Sequence, residues 1–303
     1  MKKIILLTLI IVLIPYIIVT LFIEEKEIKF YFNDSKMIRI KKENDEIVTV
    51  PFEEYIVGVV SGEMPVSFEL EALKAQAVAA RSYAYIKMKE NQNESYDVVN
   101  TVMNQVYLDE ETLKAEWKQD YIKNINKVKT AVLETKGEYI DYQGEIIEAL
   151  FFSTSTGQTE NVEEVFSETL PYLRSVDSSF DEEVSPVFND QKEFTKKEFY
   201  EKLGLSVQDN LSFNILETTS TGRIKKILIS NKTFTGNEVA NYLQLRSSYF
   251  SLKQEENKII VSTKGFGHGV GMSQYGAEAL AKKGYNYEQI IKHYYTGVEI
   301  KKY

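Results

Sequence analysis

Glu63 stands in Gly62-Glu63-Met64-Pro65, with Phe68 shortly after. A carboxyl flanked by Met64, Pro65 and Phe68 is partly stripped of water, which raises its pKa toward the range a general acid needs. The competing reading is a helix-terminal glutamate that only closes a turn. Downstream, Lys74, Gln76 and Arg81 interrupt a run otherwise made of Ala, Val and Leu. Lys74 and Arg81 are seven residues apart and share a helix face, rotated about 100° from the Leu73/Ala77/Ala84 stripe. That face reads equally well as a solvated one, and Gln76 falls elsewhere on the wheel.

Two further stretches carry polar chemistry. Thr154 to Asn161, just after Ser153, is dense in hydroxyls and amides. From Gly265 to Ala277, five glycines surround His268, followed by Gln274 and Tyr275. Alternate glycines let backbone N–H groups approach a ligand or adopt positive φ. The stretch lacks the Lys-Ser/Thr of a phosphate loop and the spacing of a dinucleotide fingerprint, so a nucleotide site is rejected.

The elements that must position these residues follow from periodicity. Met37-Ile40 and Ile47-Val50 alternate around Glu43-Asn44-Asp45 as a hairpin. Pro51 ends that strand and opens a helix through Glu53, Tyr55 and Val59. Leu70, Leu73, Ala77, Ala80, Ala84 and Met88 predict a helix from Glu69 to about Glu90. Trp117, Tyr121, Ile125, Val128 and Val132 predict another, stopped by Gly137. Glu138–Tyr142 and Glu145–Ser153 flank Gln143-Gly144 as a second hairpin. Thr195/Glu198 and Thr235/Glu238 are capping boxes that each open a helix. Gly284 closes a helix that starts beyond the glycine-rich stretch, and His293 lies in a further helix as a structural residue.

The chain's beginning bounds where the chemistry takes place. After Met1-Lys2-Lys3, residues Ile4 to Ile23 carry no charge, and the chain then turns acidic. A helix over that run is about 30 Å long, the thickness of a bilayer core. A cleaved signal has a shorter apolar region ending in small residues, which Thr20-Leu21-Phe22-Ile23 lacks. Lys2 and Lys3 favour a cytoplasmic N-terminus. The expected organisation is residues 1–3 cytoplasmic, 4–23 a single-pass anchor in the cell membrane, 24–35 a polar linker and 36–303 an extracytoplasmic domain.

The net charge of −9 argues against a nucleic-acid partner, and 43% hydrophobic with 12% aromatic residues exclude a disordered chain. With no cysteine, and His268 and His293 as the two histidines, neither disulfides nor thiolate metal sites can form. No metal and no cofactor are expected.

Three blocks carry a family resemblance. Phe52-Glu53-Glu54-Tyr55-Ile56-Val57-Gly58-Val59-Val60-Ser61-Gly62-Glu63-Met64-Pro65, with Leu70 to Tyr83 after it, closely resembles the signature of the stage II sporulation protein D family. Ser153-Thr154-Ser155-Thr156-Gly157 with Thr159-Glu160-Asn161 is similar to its second block, and Gly267 to Ala277 to its third. The resemblance implies a lytic transglycosylase that cuts peptidoglycan between N-acetylmuramic acid and N-acetylglucosamine, on strands freed of stem peptides, during engulfment in sporulation. It implies Glu63 as catalytic acid and Lys74, Gln76, Arg81, Ser153, Thr154, His268, Gln274 and Tyr275 as candidates for substrate binding. It also implies partners: a cell-wall amidase and a polytopic membrane protein. Some members carry cysteine and histidine zinc ligands near the second block, where this chain has Phe151-Phe152.

A single carboxyl suits that reaction. Hydrolytic glycosidases use a pair of carboxylates, whereas a lytic transglycosylase uses the muramic acid C6 hydroxyl as internal nucleophile and leaves a 1,6-anhydro end. For His268, a sugar contact or proton relay stands beside a role in holding its turn. The expected fold is α+β, mixed helices and short antiparallel strands in one elaborated domain, with two lobes around a glycan groove. The alternative function is a glycan-binding scaffold that recruits a peptidoglycan amidase. A metal hydrolase is disfavoured by the shortage of His and Cys.

Overall fold

The computed structural model describes residues 26–29, 36–101 and 104–303, together with 11, 13 and 14. The expected anchor Ile4–Ile23 lies almost wholly outside the described residues. Among those residues no helix is long and apolar enough to cross a membrane.

The helix Leu70–Glu90 is the axis of the main core. Ala72, Ala75, Ala77, Ala79, Ala80 and Ala84 are all buried on it. Its apolar surface therefore runs around the cylinder, and a helix of that kind has to be enclosed. Helices Phe52–Glu63, Tyr121–Glu134, Gln274–Lys282 and Tyr287–Tyr294 and strand Glu138–Tyr142 enclose it. Arg81 is fully buried on this helix, so the solvated reading of its face does not hold. Its guanidinium forks onto Glu53, Nε to Oε1 at 3.0 Å and Nη2 to Oε2 at 2.8 Å, and Nη1 donates to the Glu138 carbonyl at 3.0 Å. One side chain thus ties two helices and a strand together.

The architecture is α+β. Met37–Lys41 pairs antiparallel with Ile47–Pro51, as the alternation predicts. Two expectations are corrected. The helix read through Trp117 is broken into Glu110–Trp117 and Tyr121–Glu134 by a 3-10 turn, at which Lys118 takes a φ of 47°. The second hairpin is short: the arm that pairs with Glu138–Tyr142 is Glu145–Ile146, and the other edge of Glu138–Tyr142 pairs antiparallel with Glu299–Lys302. Beyond Ile147 the chain leaves that sheet, and Phe151–Phe152 pairs in parallel with Met272–Ser273. That departure carries the second block to the third.

A second, smaller hydrophobic cluster lies within residues 194–261 and includes Phe199, Tyr200, Ile227, Ile229, Val239, Ile259 and Val261. Two three-stranded antiparallel sheets build it, with helices Lys196–Lys202 and Gly236–Leu243. Both capping boxes are formed, Thr195 with Glu198 and Thr235 with Glu238. Residues 26–29, read as linker, lie against helix Tyr121–Glu134: the Ile28 N–H donates to Asn126 Oδ1 at 2.7 Å, and Lys129 pairs with Glu27 at 2.6 Å.

Candidate active site

Glu63 is the last residue of helix Phe52–Glu63. One turn apart on that helix, Gly58 and Gly62 admit the segment Val106–Leu108 at close range. A Cβ on Gly58 would lie 2.4 Å from the Tyr107 ring, and one on Gly62 2.7 Å from the Val106 carbonyl oxygen. The close approach lets the Val106 N–H donate to Glu63 Oε1 at 2.7 Å. The other carboxylate oxygen, Oε2, accepts from Gln274 Nε2 at 3.2 Å. Burial raises the Glu63 pKa above the ordinary carboxylate value, against the opposing pull of these two hydrogen bonds. The position at a helix C-terminus acts in the same direction as burial, since that end of the dipole disfavours an anion.

Gln274 is held by a buried polar network. It begins helix Gln274–Lys282, whose cap Ser273 accepts the Gly276 N–H at 3.2 Å. The Ser273 hydroxyl also donates to Asp181 Oδ2. Asp181 further accepts from the Ser155 N–H at 2.7 Å and the Ser178 hydroxyl at 2.6 Å. The hydroxyl-rich loop is thereby fastened to the glycine-rich one through a single carboxyl, whose own pKa is pushed up by burial. Gly276 is required there, because a Cβ would fall 1.9 Å from the Tyr294 hydroxyl.

Glu63 and Gln274 open into a groove of about 790 Å³ that Ser153 and His268 also line, with Tyr83, Lys87, Asn104, Glu148 and the rings of Phe151, Phe152, Phe166 and Phe266. Lys87 is ion-paired with Glu148 at 2.9 Å and Glu90 at 2.8 Å. The other candidates do not line the groove. Thr154 is buried and bonded to the Ser185 hydroxyl at 2.8 Å. Tyr275 packs edge-on against Phe68, with ring centroids 5.0 Å apart. Lys74 pairs with Glu71 at 2.7 Å and Glu134 at 2.6 Å, and Arg81 with Glu53. Gln76 is fully buried, and neither atom of its amide has a hydrogen-bond partner.

His268 has both ring nitrogens engaged by backbone. Nδ1 accepts from the Val270 N–H and Nε2 donates to the Phe151 carbonyl, each at 3.1 Å. Burial, helped by the nearby Arg223 charge, lowers its pKa to about 4. It is therefore a neutral imidazole that holds the turn.

A sequence model described as "Stage II sporulation protein" matches residues 41–142 of the chain, which include Glu63. Stage II sporulation protein D of Bacillus amyloliquefaciens is 42% identical over 263 residues, covering 85% of this chain and 76% of that protein. The protein of the same name from Bacillus subtilis (strain 168) is 40% identical over 262 residues, with the same coverage. The chain belongs to the stage II sporulation protein D family. A protein named "Amidase enhancer", also from Bacillus subtilis (strain 168), is 31% identical over 302 residues, covering 81% of this chain and 40% of that protein. The cysteine zinc ligands that the family resemblance implies for some members are missing from this sequence, which has no cysteine. Phe151-Phe152 stand before Ser153, and no group of three or more His, Asp or Glu among the described residues could hold a metal ion.

Sequence reasoning misses Val106, Asp181 and the groove aromatics. Gly58 and Gly62 at helical spacing are the available signal for Val106, since paired glycines on one helix face mark a backbone that comes close. Asp181 has no comparable signature, because its partners come from residues far apart in the chain.

Proposed function

We propose that this protein is a lytic transglycosylase acting on peptidoglycan strands freed of stem peptides, with Glu63 as its acid and then its base. The observation that carries this reading is the Glu63 carboxyl: half-buried, raised in pKa, and opening into a groove large enough for sugar rings. Protonated Glu63 gives its proton to the glycosidic oxygen as the bond from muramic acid C1 breaks and the electron pair leaves with that oxygen. The C6 hydroxyl of the same sugar then bonds to C1, and its proton passes to the Glu63 carboxylate. The acid is regenerated and no water is consumed.

The environment of Glu63 suits both halves of that cycle. The Val106 N–H keeps Oε1 an acceptor throughout, leaving Oε2 to carry the proton. Gln274 can serve either state, since an amide has a donor for a carboxylate and an acceptor for a carboxylic acid. Holding an internal nucleophile against the reacting carbon supplies much of the acceleration in such a step.

On the same reading, residues 4–23 anchor the chain in the cell membrane, and two lobes bound the groove outside the cytoplasm during engulfment. A cell-wall amidase and a polytopic membrane protein are its expected partners. The relative named as an amidase enhancer supports a second role, a glycan-bound scaffold that activates an amidase. The test is mass spectrometry of products from peptide-free glycan strands, with the full chain in detergent. Glu63→Gln keeps shape and hydrogen bonding but cannot donate a proton, so anhydromuramic ends should fall by on the order of 10²–10⁴. If it keeps more than about a tenth of wild-type turnover, short of the least loss of an acid catalyst, the scaffold role moves ahead.

A further inference from the structure

Two rings on the groove wall keep much of their surface exposed. Phe166 is 43% and Phe266 45% exposed, and both line the groove. Phe266 is fixed by a two-way bridge to Thr154: its N–H donates to the Thr154 carbonyl at 2.8 Å, and the Thr154 N–H donates to its carbonyl at 3.0 Å. Gly265 and Gly267 on either side have φ of +70° and +100°, turns that a side-chain-bearing residue rarely adopts. The Arg246 guanidinium lies 5.7 Å from the Phe266 ring centroid. Phe166 is propped from beneath by His268, whose ring meets it edge-on at 5.5 Å. The Phe266 backbone is held on both sides by that bridge, and the Phe166 N–H donates to the Val162 carbonyl at 2.7 Å.

Exposed aromatic surface in a groove that also offers hydroxyls, amides and carboxylates marks a binding site for a molecule with both apolar and polar faces. A pyranose ring is such a molecule, with axial C–H bonds on one face and hydroxyls around its rim. We propose that Phe166 and Phe266 are stacking platforms for two sugar rings of the glycan strand, away from the bond that Glu63 cleaves. This rests on the reading of the groove as a glycan site. It also gives the glycine-rich stretch a role in binding, because the turns at Gly265 and Gly267 present Phe266 while His268 supports Phe166. The two platforms fix the strand along the groove, and the polar groups around Glu63 position the sugar that reacts.

The test measures binding apart from turnover. Full-length protein carrying Glu63→Gln is titrated calorimetrically with peptide-free strands of alternating N-acetylglucosamine and N-acetylmuramic acid. Adding Phe266→Leu or Phe166→Leu, which keep bulk but remove the flat face, should weaken binding roughly tenfold, the equivalent of about 1.4 kcal/mol. Phe266→Trp and Phe166→Tyr should restore it. In otherwise active protein, the leucine variants should raise KM with kcat unchanged. Because a leucine variant could also fail to fold, ring-labelled phenylalanine in the Glu63→Gln protein should show nuclear Overhauser contacts from these rings to sugar C–H protons. Equal affinity with and without the rings, or no such contacts in a strand-bound sample, overturns the platforms while leaving the catalytic reading intact. If the wild-type chain neither binds strands nor makes anhydro ends, the catalytic reading fails and the platforms fail with it.

Discussion

At Glu63 and His268, burial acts on groups of opposite charge sign and pushes both toward their neutral forms. The consequences for stability have opposite signs. His268 has a pKa of about 4 when folded and 6.5 as an unperturbed imidazole, so between these values the unfolded chain binds more protons. Its contribution to stability is complete above pH 6.5 and is lost as pH falls toward 4, at most about 3 kcal/mol at 1.36 kcal/mol per unit. Glu63 and Asp181, with raised folded pKa values, are eased by the same acidification. A wild-type curve therefore mixes both signs, and only a comparison isolates the histidine. Urea unfolding at pH 7.5 and 4.5 should show wild type losing about 2–3 kcal/mol more than His268→Gln over that interval. Parallel losses in the two proteins would mean that His268 is not buried neutral.

The helix Phe52–Glu63 shows how an element aims a residue. Alanine is intrinsically better than glycine in a helix by about 1 kcal/mol, yet Gly62 stands where the Val106 carbonyl leaves no room for a Cβ. Gly62→Ala should push that segment outward and lengthen the bond from the Val106 N–H to Glu63. Activity should fall by at least about tenfold, since misplacement of about 1 Å can cost on the order of 100-fold, with the fold retained by circular dichroism. The basic limb of the kcat/KM profile should also move to higher pH, because a hydrogen bond that favours the ionised carboxyl is weakened. A variant within twofold of wild type with an unmoved limb would show that Val106 does not position the acid.

What is legible at this scale is local chemistry. The capping boxes at Thr195 and Thr235, the hairpin around Asp45 and the alanine-rich helix are all written in adjacent residues. The solvated reading of Arg81 fails because a helical wheel shows the face and not its partner Glu53, 28 residues earlier. For the same reason Glu63 can be singled out as an acid, while the Val106 N–H that holds it cannot. The second arm of the Gln143-Gly144 hairpin leaves its sheet to meet Met272–Ser273, a pairing set by contacts across the whole chain.

Across the whole molecule, the two hydrophobic clusters meet at a polar joint beside the groove. Arg223, from the 194–261 cluster, lies 3.1 Å from Glu160 with both side chains buried, and its Nη1 donates to the Gly267 carbonyl at 2.8 Å. Thr221 bonds to Glu160, and Ser220 to Glu164. Gly269 fits this joint because a Cβ would fall 2.8 Å from the guanidinium. Removing one partner of a buried pair leaves the other charge uncompensated, a cost of about 3–5 kcal/mol, whereas replacing both by apolar residues is often nearly neutral. Arg223→Met should therefore be strongly destabilising, and adding Glu160→Leu should recover most of the loss. The joint also couples the clusters, so the single variant should unfold in two stages. Trp117, the chain's one tryptophan, packs against the main core and reports on that core alone, whereas far-ultraviolet circular dichroism reports on both clusters. In wild type the two urea transitions should coincide, and in Arg223→Met they should separate. Coincident transitions in the single variant, with stability within about 1 kcal/mol of wild type, would show that the pair neither carries the joint nor couples the clusters.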